Sequence, residues 1–199
     1  MVVYLSAVAL TAALLGARPT VLRLYAGPRL GGLTVRGFRI ELGLLPLGGF
    51  VEFGPGGEHL LAVAAWRRLL VALAGPGVLL VLGLALGAPL DTFARGFSQL
   101  LGGALAPTTE GARLLRRLAS LLGGGELELV ALLAVKLAAF NLLPVPALAG
   151  FQALQALASW SLGRRVSTPG WLQVTGLLLL GAVWVGWLVA LWSVLRGAE

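Results

Sequence analysis

The chain has 199 residues, of which 58% are hydrophobic and 12% are charged, with a mean hydropathy of +0.94. Soluble domains carry about 25% charged residues, so this composition predicts an integral membrane protein of about four spans. The net charge is +7, but no polar segment gathers the basic residues into a nucleic-acid surface, and we expect them at lipid head groups. The absence of cysteine excludes disulfides and cysteine-bound metals.

The first segment, residues 1–17, is uncharged and mostly apolar, and lacks the basic region that precedes the apolar core of a signal peptide. We expect it to form a short first span that stays in the protein. Residues 20–53 then show period-2 alternation broken by Gly-Pro, which predicts a β-hairpin region. Its second half reads Gly43-Leu-Leu-Pro46-Leu47-Gly48-Gly49-Phe50-Val51.

A strand edge inside a membrane must meet protein or water, because lipid cannot pair its N–H and C=O groups. The hairpin is therefore either a packed structural element or an edge that pairs with an extended guest segment. His59 follows in a turn-rich loop. Without a second histidine or a cysteine nearby, we expect it to be an interfacial residue and not a metal ligand.

The second predicted span is residues 69–90, which carry no charge and follow Trp66-Arg67-Arg68, an interfacial anchor. Residues 91–125 are interpreted as a loop that contains one amphipathic helix over about 109–122. The leucines of this helix share one face, so it is expected to lie on the membrane surface, or alternatively to dock a partner.

The third predicted span, residues 128–143, carries Lys136 near its middle. A lysine at this depth is costly, so it is a candidate functional residue, although it could instead reach water or backbone carbonyls. Asn141, Pro144 and Pro146 follow and break the helix. The fourth predicted span is residues 171–195, with tryptophans near both ends.

Arginine is distributed unevenly between the two sides that four spans would create. Nine arginines fall in the first and third connections or at the entry of span two, against five on the other side. The positive-inside rule places the hairpin and the Asn-Pro loop in the cytoplasm. The bias toward Gly, Ala, Leu and Arg favours a GC-rich bacterium, and hence the inner membrane.

Four motifs, in order, carry a resemblance to a known family: Leu14-Leu-Gly16-Ala-Arg18, the Gly43–Val51 segment, Ala74-Gly75-Pro76, and Asn141-Leu-Leu-Pro144-Val-Pro146-Ala-Leu148. Together they resemble the site-2 protease family, zinc metalloproteases that cut peptides within the bilayer. The resemblance implies a mainly α membrane protein with a re-entrant β-hairpin after the first helix. It also implies that the hairpin edge and the Asn-Pro loop contact an extended substrate. The implied contact residues are Pro46, Leu47, Gly48, Gly49, Phe50, Val51, Asn141, Pro144 and Pro146.

The zinc positions of the family depart from its pattern. The resemblance places the His-Glu-x-x-His motif on Tyr4, Leu5 and Val8, and the aspartate ligand on Ala149. These residues lack the imidazole and carboxylate groups that bind zinc and activate water. We therefore expect no catalytic residue, no metal and no other cofactor, and we hypothesise that the ammonium of Lys136 replaces the lost cation.

These observations predict one membrane domain over residues 1–199 that is not an enzyme: a pseudoprotease that binds a transmembrane or extended segment of a partner. The expected partners are the lipid bilayer and another membrane protein, with no nucleic acid and no small-molecule cofactor. A structural subunit of a larger membrane complex is the first alternative. An active zinc-dependent endopeptidase with unrecognised ligands is the second.

Overall fold

The computed structural model describes residues 1–121, 125–146 and 148–196, without the side chains of Ala26, Pro46 and Leu47. This part of the chain is mainly helical with a small β-sheet. Its elements in order are α1 (Val2–Leu14), β1 (Val21–Val35), β2 (Phe38–Glu52), a 3₁₀ turn (Pro55–Gly57), α2 (Glu58–Ala62), α3 (Ala65–Ala85), α4 (Asp91–Leu105), a π-helical turn (Pro107–Gly111), α5 (Ala112–Leu121), α6 (Glu126–Asn141), α7 (Ala149–Ser161) and α8 (Gly170–Arg196).

The chain forms two compact units. The first contains Met1–Val78 and Gln152–Val166, and so holds α1, the sheet and most of α7. The second contains Leu79–Phe151 and the segment that starts at Ser167, and so holds α4, α5, α6 and α8.

The sheet is built from two long antiparallel strands, each of which bends and so contributes two segments. Across the sheet the segments follow the order 31–34, 39–42, 21–24 and 49–52, and each pairs with its neighbours in that order. Residues 31–34 and 49–52 are therefore the two edges. The β1–β2 turn has positive φ at both Arg36 and Gly37, as a tight hairpin turn requires.

Helix α1 packs against this sheet. Leu5 (2% exposed), Ala9 and Leu22 form one buried cluster, and Tyr4, Leu24, Phe38 and Val51 pack around it. Gly49 allows the close approach, because a Cβ there would lie 2.7 Å from Leu5 Cδ1. Truncating a buried leucine typically costs about 2–5 kcal/mol, so this contact holds the hairpin to α1.

Two helices, α3 and α8, are long and apolar enough to cross a membrane. Helix α1 has 13 residues and α6 has 16, both below the roughly 17–25 residues of a typical span. The expected four spans are therefore not confirmed. The predicted range 1–17 is longer than α1, and the range 128–143 has the length of α6 but starts two residues later.

The region 91–125 differs from the expected loop. It contains α4 as well as α5, and the leucine face of α5 (Leu114, Leu115, Leu118 and Leu121) lines a cavity within the second unit. Residues 122–124, where the helix was expected to stop, lie outside the described residues.

Candidate functional site

The edge segment, residues 49–52 of β2, is the part of the candidate site that lies in the first unit. It pairs with residues 21–24, and in the described part of the chain no strand pairs with its other side. Phe50 is 41% exposed, whereas the partly buried Val51 packs into the core clusters. The segment therefore presents an open row of backbone groups beside one exposed aromatic ring.

The preceding residues of β2 complete the predicted contact set in the first unit. Gly48 has φ +66° and open space around its Cα. Pro46 and Leu47 belong to β2 by backbone, but their side chains lie outside the described part. Their role in binding stays a prediction.

A buried carboxylate lies next to the edge segment, and the sequence analysis missed it. Glu41 is 4% exposed and accepts a hydrogen bond from Arg23 Nε at 3.0 Å, with Arg29 Nη1 at 3.5 Å from its other oxygen. The hydrogen bond from Arg23, with the charges of Arg23, Arg29 and Arg39, holds the pKa of Glu41 below its ordinary value of 4.5.

The guanidinium of Arg23 also lies 5.4 Å from the centre of the Phe50 ring, which suits a cation–π contact. The Arg23–Glu41 pair thus contacts the edge segment through the ring of Phe50. The alternation of side chains in the sequence predicted strands at Arg23 and Glu41. The sequence does not reveal the strand register that brings these two residues together.

The residues to which the resemblance assigns the family's histidine and glutamate positions take part in packing, and that assignment stays a prediction. Leu5 is in the core cluster, and Val8 packs against the cluster of Ala12, Ala17, Phe53 and Val71. The ring of Tyr4 lies against Gly75, where a Cβ would approach Tyr4 Cζ to 2.6 Å. These side chains fill space between α1, α3 and the sheet.

The Asn-Pro segment lies in the second unit. Asn141 ends α6, and its Nδ2 donates a hydrogen bond to the carbonyl of Leu137 at 2.8 Å. Pro144 is exposed, whereas Pro146 is buried against Gly176 of α8. The partner-binding roles expected of Asn141, Pro144 and Pro146 stay predictions.

The residues present do not fit the zinc ion that the family implies. Ala149 is buried at the start of α7 and offers no ligand atom. Among the residues that the structure describes, no three His, Cys, Asp or Glu side chains lie close enough together to hold a metal ion. The expectation of no cofactor stays a prediction.

Lys136, the candidate for replacing the cation, donates a hydrogen bond to Gln99 Oε1 of α4. This partner was not predicted, because residues 91–125 were interpreted as a loop. The cation-replacing role of Lys136 stays a prediction.

A family model described as "Peptidase family M50" matches residues 9–182. This match confirms the resemblance stated from the four motifs. It also overturns the expectation that the protein is not an enzyme, because the matched family is a family of metalloproteases. A comparison with curated proteins found no match.

Proposed function

Because the chain belongs to peptidase family M50, the site-2 protease family, we propose that it binds an extended segment of another membrane protein along the edge segment 49–52. The observation that carries the proposal is the side of this segment with which no described strand pairs, next to the exposed Phe50. An added strand would pair the open N–H and C=O groups, which is how β-augmentation gains affinity.

In a hairpin that enters the membrane from the cytoplasmic side, as the family resemblance implies, low-dielectric surroundings would strengthen this argument. Each unpaired backbone group in hydrocarbon costs several kcal/mol. A guest strand that pairs even two or three of these groups would therefore bind with a considerable driving force.

We place the hairpin and the Asn-Pro segment on the cytoplasmic side of a bacterial inner membrane, as the arginine distribution favours.

Site-specific photocrosslinking in cells tests the proposal. A photoreactive phenylalanine analogue at position 50 should capture a membrane protein through a short segment, identified by mass spectrometry. The matched control is the same analogue at Leu33, which is 62% exposed and lies on the opposite edge of the same sheet. Equal capture from both positions would contradict binding at the edge segment.

The same samples answer two further questions. Fragments that end within the captured segment would show that bound partners are also cut. Capture from the outward face of α8, for example from the exposed Trp184, and not from position 50, would favour a structural subunit of a larger complex.

A further inference from the structure

The second unit contains a cavity of about 420 Å³, within the size range of ligand-binding pockets. Its walls come from residues 86–89 between α3 and α4, from α4, α5 and α6, and from Trp187 of α8. Most of the lining is leucine and alanine, including the leucine face of α5. A cavity of this size and lining suits a hydrocarbon chain.

Two basic groups in this lining lack an acidic partner. Among the described residues, neither Lys136 nor Arg117 has a carboxylate oxygen within 4.0 Å, whereas the third basic group, Arg95, is paired with Asp91 at 2.7 Å. The hydrogen bond to Gln99 uses one of the three donors of the ammonium of Lys136. Lys136 is partly buried, and a cation in such a position is costly unless an anion joins it, whereas the exposed Arg117 adds a second positive charge at the cavity wall.

The one acidic group in the described lining is Glu128, which forms no ion pair there. The lining therefore keeps an excess of positive charge beside an apolar wall. A small inorganic anion would satisfy the charges and leave the leucines uncovered, and a neutral lipid would do the reverse. An anionic amphiphile meets both requirements.

We propose that this cavity binds an anionic lipid, with the acyl chain along the leucine face of α5 and the phosphate at Lys136 and Arg117. The proposal uses the second unit alone and does not depend on the edge segment. Charge-assisted hydrogen bonds to the phosphate would supply the preference over a zwitterionic lipid.

Native mass spectrometry of the full chain in detergent tests this, with phosphatidylglycerol, phosphatidylcholine and inorganic phosphate as separate probes. We expect phosphatidylglycerol to bind at least tenfold more tightly than phosphatidylcholine. Lys136→Met and Arg117→Gln should each weaken phosphatidylglycerol binding roughly tenfold, and Arg117→Lys should keep most of it. Thermal unfolding of each variant checks that it is folded.

Arg116→Gln is the matched control, because it removes the same charge from the neighbouring position of α5, which does not line the cavity. It should leave binding unchanged. A loss equal to that of Arg117→Gln would overturn the proposal in favour of general attraction to charge. Equal binding of both lipids, or inorganic phosphate bound as tightly as phosphatidylglycerol, would also overturn it.

Discussion

At the scale of single residues, Glu41 explains how a charge is accommodated inside the small sheet. A buried carboxylate is destabilising unless it is paired and hydrogen-bonded. Arg23 and Arg29, both on β1, supply that pairing. Because Arg23 also contacts the Phe50 ring, we expect protonation of Glu41 to loosen the edge segment.

The lowered pKa of Glu41 gives a signed prediction. The pair stabilises the hairpin above the ordinary pKa of 4.5, and this stability should be lost as the pH falls through the lower folded value. The protection factors of residues 21–52 in hydrogen exchange, which correct for the intrinsic slowing of exchange in acid, should therefore fall as the pH drops below 4.5. Glu41→Gln should remove the pH dependence, whereas Glu52→Gln, at an exposed position of the same strand, should preserve it. A Glu41→Gln protein that keeps the full pH response would contradict this account.

At the scale of elements, the second unit is held together by small residues at helix crossings. Gly103 of α4 lies against the ring of Trp187 of α8, where a Cβ would come within 2.6 Å of Cζ2. The indole N–H of Trp187 donates to the carbonyl of Leu100 at 3.2 Å. Close backbone approach of this kind is typical of helix packing in membranes.

The neighbouring glycines of α4 provide a matched pair of variants. Gly103→Ala should lower the free energy of unfolding by about 1–3 kcal/mol, because the methyl group overpacks against Trp187. Gly102→Ala has open space around it and should raise that free energy by up to about 1 kcal/mol through helix propensity. Denaturant unfolding in detergent measures both. If the two variants behave alike, the contact between α4 and α8 is not the one described.

The same helix shows why the sequence predicts some elements and not others. Alternation and the Gly-Pro break indicated strands at residues 20–53, because a two-residue period is a local signal. In α4 the glycines at 96, 102 and 103 reduce helix propensity, so the helix depends on packing against α6 and α8 that no local pattern reveals. The contact between Gln99 and Lys136, and with it the cavity, was therefore beyond sequence reasoning. The motifs around Gly43–Val51 and Asn141–Leu148 could be recognised because they are contiguous.

At the scale of the whole molecule, the number of spans decides which surfaces can meet. Helices α3 and α8 have the length and hydropathy of spans, while α1 and α6 are shorter. If α6 crosses, residues before α3 and residues between α6 and α8 share one side. If only α3 and α8 cross, these two regions are on opposite sides. The cytoplasmic position proposed for both the hairpin and the Asn-Pro segment requires the first arrangement.

Single-cysteine labelling in intact cells separates these topologies, and because the chain has no native cysteine each introduced thiol reports alone. If α6 crosses, Thr34→Cys and Ser167→Cys should both be protected from an impermeant reagent, because the nine arginines favour the cytoplasm for their side of the membrane. Ser120→Cys should then react, because it lies on the other side. With two spans only, Ser120→Cys and Ser167→Cys should behave alike, which would end the shared-side arrangement. Val2→Cys then tests α1, because it should react like Ser120→Cys if α1 crosses and like Thr34→Cys if it does not.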